Sequence, residues 1–224
     1  MGGNGAMGEH GASDLTGDAN AQRVALVSLD FDAERSAVVA ALAGAGVRVA
    51  VLGTAVAGSD LALPLGDDAA AVAAVERELG GIDILVVGAA TPAPSAFVDA
   101  DVTQWMTSVH EAVSAPFRLM RATAPALRRA GDSRMVLVGA GWGAAGTVNG
   151  TAGASVHGAL VALTKTLARD LGPDGVIVNE IVVQPGSRPD TGALAAAVVY
   201  LASPAGSAVV GQVVTLGRGG EVRP

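Results

Sequence analysis

The sequence predicts a doubly wound α/β domain, three layers thick with a parallel sheet at its centre, and two observations carry that reading. Short, unbroken apolar runs rich in valine, leucine and isoleucine recur along the chain, and continuous runs suit strands buried on both faces. Segments of helical periodicity separate them one by one, which is the order of repeated strand–helix crossovers. Arg23–Ser28 (RVALVS) is the first buried strand, and Ala33–Ala45 is a helix ended by Gly46. Val47–Leu52 is the second strand and Leu61–Leu63 a short third. Asp68–Leu79 places Val72, Val75 and Leu79 on one helical face, and Ile82–Val87 follows as a strand. A long helix from Thr103 to Ala130 repeats Met106, Val109, Val113, Phe117, Met120, Ala124 and Leu127. Strand Met135–Val138, helix Thr151–Leu171, strand Val176–Val183, helix Ala193–Ser203 and a strand over Val209–Leu216 complete a Rossmann-type order.

Composition narrows the function. Of 224 residues, half are apolar, yet the aromatics are only Phe31, Phe97, Phe117, Trp105, Trp142 and Tyr200, so small aliphatic side chains must fill the interior. A net charge of -7 disfavours nucleic acid and anionic membrane as partners. Without cysteine there is no disulfide framework and no thiol nucleophile. Residues 1–20 are Gly-rich and polar, lack the apolar core of a signal peptide, and read as a flexible tail. Residues 21–224 read as one domain with no linker or repeat, and a cytoplasmic protein is expected.

Three segments carry a family likeness. Ile82–Ala90 (IDILVVGAA) parallels "DILVNNAG"; Leu163–Gly172 with Val176–Gly186 (LTKTLARDLG, VIVNEIVVQPG) parallels "LT.SLA.EL…IRVN.V.PG". Val198–Gly220 (VVYLASPAGSAVVGQVVTLGRGG) parallels "V.FLAS..ASYVTGQ…VDGG". From about Arg23 to Gly220 the chain therefore resembles the short-chain dehydrogenase/reductase family, in which a nicotinamide dinucleotide binds the first strand–helix turn and a tetrad does the chemistry.

Mapped onto that family, the site residues are missing. Its T-G-x-x-x-G-x-G turn falls on Ser28–Arg35, with Leu29, Ala33 and Arg35 at the glycine positions. Glycine there permits the tight turn and the approach of backbone to pyrophosphate. Asp30, Asp32 and Glu34 crowd the same helix start, where a phosphate would otherwise sit. At close range each repels it by roughly 1 kcal/mol or more. Asp32 as helix N-cap and Glu34 in the first turn explain these acids without a ligand; the lesser reading has Arg35 holding a phosphate of another molecule. The ribose-reading position falls at Gly53-Thr54, the adenine-contacting Asp near Pro64, and the "NNAG" asparagines at Val87 and Gly88.

The tetrad positions of Tyr, Lys, Ser and Asn hold Gly153, His157, Ala140 and Ala112, and the only tyrosine, Tyr200, lies in the last helix, where it reads as core or interface. Ser155 with His157 invites a rebuilt nucleophile, but residues two apart on a helix diverge. His110-Glu111 and His10 are likewise read as a solvated face and a tail residue. After Gly186 the family's lid segment is replaced by Ser-Arg-Pro-Asp-Thr-Gly.

The resemblance thus implies a catalytically inactive pseudoenzyme. It would assemble with an intact sister subunit that carries NAD(P), as a mixed dimer or heterotetramer in an oxidoreductase complex, and as a homodimer alone. It would bind no cofactor or metal of its own. It is similar to heteromeric dehydrogenases with one degenerate subunit, such as the type acting on 2-(hydroxyphenylmethyl)succinyl-CoA, so acyl-CoA or other hydroxy/keto substrates are expected for the complex. The retained apolar helices place subunit contact at Val109, Val113, Phe117, Val156, Leu160 and Leu163. A stand-alone sensor using the emptied cleft and an enzyme with a rebuilt site are the alternatives.

Overall fold

The computed structural model describes residues 22–141, 146–183 and 190–217. Seven parallel strands run β1 (Val24–Ser28), β2 (Arg48–Leu52), β3 (Leu61–Leu63), β4 (Ile84–Gly88), β5 (Ser133–Ala140), β6 (Val176–Val183) and β7 (Val213–Leu216). They lie in the order β3-β2-β1-β4-β5-β6-β7. The helices between them are α1 (Asp32–Gly44), α2 (Asp68–Leu79), α3 (Val102–Ala130), α4 (Thr151–Leu171) and α5 (Thr191–Ala202). This is the three-layer, doubly wound architecture that the sequence predicts.

Alternation along each strand divides the core in two. Leu26, Leu85, Met135, Leu137 and Val178 face α2, α3 and α4, while Val27, Val86, Val136, Val138 and Ile181 face α1 and α5. Both faces are apolar because both are covered, so each strand reads as a continuous run. Asp67, Asp101 and Asp190 cap α2, α3 and α5, accepting from the backbone N–H of Ala70, Gln104 and Gly192 at 2.9, 2.8 and 3.0 Å. Helix α3 runs through Pro116 and Pro125, each of which lacks the N–H for one rung of the helix ladder.

Several boundaries differ from the expectation for identifiable reasons. Strand β4 begins at Ile84, because the Asp83 carboxylate turns aside to accept from Val24 N–H at 2.7 Å. Strand β7 begins at Val213, since Val209 N–H bonds Gly206 O and Gly211 takes a positive φ of 65°. Tyr200 is half-exposed on α5, outside the core. At the lower edge of the sheet, Gly175 (φ 79°) meets the turn at Gly131 so closely that a Cβ on it would stand 1.9 Å from Gly131 O. Only glycine fits both that backbone and that gap.

Candidate functional site at the switch point of the sheet

Strand order reverses between β1 and β4, and in such sheets the ligand crevice opens at that point, beyond the carboxyl ends of the strands. Two buried side chains stand at that point, Leu29 and Arg35. Leu29, immediately after β1, is buried, and its Cδ2 lies 3.1 Å from where a Cβ on Gly88 would stand. It therefore covers the end of β4. Arg35, in the first turn of α1, is also buried; its Nη1 donates to Leu29 O at 2.9 Å and its Nη2 pairs with Asp32. The same Nη1 approaches the ideal Cβ position of Gly53, at the end of β2, to 3.7 Å.

Asp32 does not act as expected, whereas Glu34 lies in the first turn of α1 as the sequence predicts. The N-cap position of α1 is Phe31, which makes no side-chain cap bond, and Asp32 is the first helical residue. Its carboxylate goes to Arg35 because three residues along a helix is bonding distance for that pair. Glu34 is raised above the ordinary carboxylate range, by burial and then by Asp30 beside it. Arg35 is bound within its own turn through Nη1 and Nη2, while its Nε is buried without a hydrogen-bond partner.

Two of the four tetrad positions, Ala140 and Gly153, border one hollow beyond the carboxyl ends of the strands. Ala140 ends β5 and Gly153 sits in the first turn of α4. With Ala90, Thr91 and Leu160 they border a hollow of about 10 Å³, room for about one water molecule. None of the side chains lining it titrates. Ala112 is buried in α3 and His157 in α4, where His157 is engaged in an interaction. Ser155 is exposed and donates to Thr151 O at 3.0 Å, so it and His157 leave the helix in different directions. His110 and Glu111 are exposed on α3. Among the described residues no group of three or more His, Asp or Glu side chains gathers as metal ligands, and no helix is long and apolar enough to cross a membrane. His10, the lid segment before Pro189, and the tail 1–20 lie outside the described residues.

Val156 and Leu160 need correcting as contact residues. They are 4% and 1% exposed and belong to the chain's own core between α3, α4 and the sheet. Val109, Val113 and Leu163 are half-buried against that core, and Phe117 is 44% exposed. A second cavity, about 390 Å³, opens at the opposite sheet edge beside Glu76 and Arg129, which pair with each other.

Residues 19–195 match the short chain dehydrogenase family. The chain belongs to that family. It is 38% identical over 119 residues to trans-4-hydroxycyclohexanecarboxylate dehydrogenase of Sinomonas cyclohexanicum, a match covering 53% of this chain and 44% of that protein. It is 31% identical over 181 residues to (2S)-[(R)-hydroxy(phenyl)methyl]succinyl-CoA dehydrogenase subunit BbsC of Thauera aromatica, covering 72% and 71%. The match thus spans less than half of the first relative and about seven tenths of the second. A dehydrogenase/reductase from Sinorhizobium meliloti superposes with a TM-score of 0.76 at 24% identity, covering 88% of this chain and 94% of that one, which shows the shared fold.

One residue escaped the sequence reading. Glu180 is buried in the middle of β6. The signal was available, since a lone carboxylate in an interior strand otherwise made of valine, isoleucine and one asparagine has no route to water.

Proposed function

We propose that this member of the short-chain dehydrogenase family is a non-catalytic subunit that pairs with, and supports, an intact member of the family. The observation that carries the reading is the pair of buried side chains at the switch point: Leu29 over Gly88 and Arg35 between Leu29 O and Asp32 stand where the family places its dinucleotide. These residues do not fit a diphosphate, which needs bare backbone N–H groups at the helix start and here meets Asp30, Asp32 and a partly buried Glu34. Gly153 and Ala140 offer no proton donor beside the hollow, and general acid–base help is worth about 10²–10⁴-fold in rate. A relative described as a dehydrogenase subunit adds support. The partner carries the NAD(P) and the substrate chemistry, on a hydroxy or keto compound such as an acyl-CoA. Contact runs along α3, where Val102, Met106 and Phe117 are exposed apolar residues, with Val109, Val113 and Leu163 beneath them; large exposed apolar faces are liabilities in monomers.

Calorimetry with the oxidised and reduced forms of both nicotinamide dinucleotides tests the first half. No binding is expected, and low-micromolar affinity for any of them overturns it. Co-expression with an intact family member encoded beside this chain tests the second: the two are expected to co-purify, and a stable monomer by light scattering in both conditions defeats it.

A further inference from the structure

Glu180 is 0% exposed, on the β6 face that meets α4. Its carboxyl fills the space that a side chain at Gly139 of β5 would take: a Cβ there would stand 3.0 Å from Oε1 and 3.3 Å from Leu160 Cδ1. Oε2 accepts from Thr164 Oγ1 of α4 at 3.5 Å, and Oε1 has no hydrogen-bond partner. An ionised carboxylate in such a slot is left with one bare oxygen and one at the limit of a bond, which the interior disfavours strongly. Burial accordingly raises its pKa from 4.5 to about 7, against smaller opposing effects of the Thr164 bond and of Lys165.

The surroundings offer little compensation. From α4 the groups are Thr164, Lys165, whose ammonium bonds Gly211 O at 3.2 Å, and His157, seven residues earlier on the same buried face. From β5 there are Leu137 and Gly139, from β6 Val178 and Val182, and from the lead-in to β7 the Gln212 backbone, whose carbonyl takes the Glu180 N–H at 2.9 Å. Among these described neighbours Lys165 is the charge that acts on Glu180.

We propose that Glu180 is a proton-operated latch: protonated, it lets α4 seat on β5 and β6, and deprotonation favours an opened state in which that helix lifts and the carboxylate reaches water. The sign follows from linkage. Below pH 4.5 the carboxyl is protonated whether α4 is seated or lifted, and seating is at full strength. Between 4.5 and about 7 only the lifted state ionises, so opening releases a proton and its equilibrium constant rises by about tenfold per pH unit. Above about 7 both states are ionised and the effect levels off. Helix α4 is thus held hardest in mildly acidic medium, whether or not the chain has a partner.

Hydrogen exchange of the full chain from pH 5 to 8.5, corrected for the intrinsic pH dependence of amide exchange, reads the latch directly. Opening of α4 peptides is expected to rise about 40-fold from pH 5 to 7 and by about another twofold before it levels off, with α1 peptides unaffected and Glu180→Gln flat throughout. A flat wild type, or the same rise in Glu180→Gln, overturns the proposal. Carbon-13 carboxyl NMR of the glutamate-labelled chain reads the same group: the resonance that disappears in Glu180→Gln titrating near pH 7 supports the latch, and that resonance titrating near 4.5 refutes it.

Discussion

Arg35 reaches back six residues to Leu29 O and three to Asp32, while its own Nε stays buried and unbonded. Removing it would leave the Leu29 carbonyl without that donor and a void beside Gly53. Arg35→Ala is expected to lower stability by about 2–4 kcal/mol, seen as a lower urea midpoint at unchanged slope. Its exposed ion pair with Asp32, whose side chain is 86% exposed, contributes little to that figure. Asp32→Ala therefore separates the two effects and is expected to cost less than about 1 kcal/mol. The glycine positions of this turn were legible in the sequence, but what replaces them was not. A carboxylate just ahead of an apolar helix suggests a cap by pattern, and only the rotamer of Arg35 decides that it becomes a partner instead.

Helix α4 shows why periodicity alone misplaces a contact face. Val156, Leu160 and Leu163 share the apolar pattern, yet the first two turn inward and Leu163 is half-exposed. A chain with so many alanines gives its helices apolar residues on more than one side, so spacing cannot say which side meets the sheet. The distinction has measurable consequences. Leu160→Ala is expected to destabilise the isolated chain by about 2–5 kcal/mol, as core truncations do. Phe117→Asp is expected to leave helix content unchanged and to weaken subunit assembly, read by circular dichroism together with light scattering. At the other end of the molecule, Gly175→Ala would put a Cβ 1.9 Å from Gly131 O at φ 79°. The turns entering β5 and β6 cannot then both keep their positions, and a loss of about 3 kcal/mol or more in chemical denaturation is expected.

Among the described residues, a group of carboxylates at helix starts lies at one end of the strands and a group of arginines at the other. Asp30, Asp32 and Glu34 stand at the carboxyl ends of the strands with the capping Asp67, Asp101 and Asp190. Arg23, Arg128, Arg129 and Arg134 gather at the opposite edge, paired there with Asp132, Asp174 and Glu76 or with carbonyls. Carboxylates favour helix N-termini and arginines helix C-termini, so a doubly wound fold sorts them by itself. The strand–helix order and the strand count could be read from residue patterns, because each is a local property. The two halves of the core, the Leu29 contact with Gly88 and the slot around Glu180 depend on strands far apart in the chain, or on facing layers, and no short window of sequence contains them.

If Leu29 and Arg35 keep a dinucleotide out, as proposed, the molecule also answers differently to metabolite levels. A protein that binds a diffusible ligand gains stability by mass action, about 2.7 kcal/mol at a hundredfold excess over the dissociation constant, and loses it when the ligand is depleted. Arg35 cannot be depleted, since the chain itself holds it three residues from its carboxylate. The melting temperature of this chain is expected to be unchanged by millimolar nicotinamide dinucleotide, in a thermal-shift titration where a cofactor-binding family member rises. In a mixed assembly, this subunit would then keep its own fold at full strength when the nucleotide pool falls, leaving the partner's half to register the change.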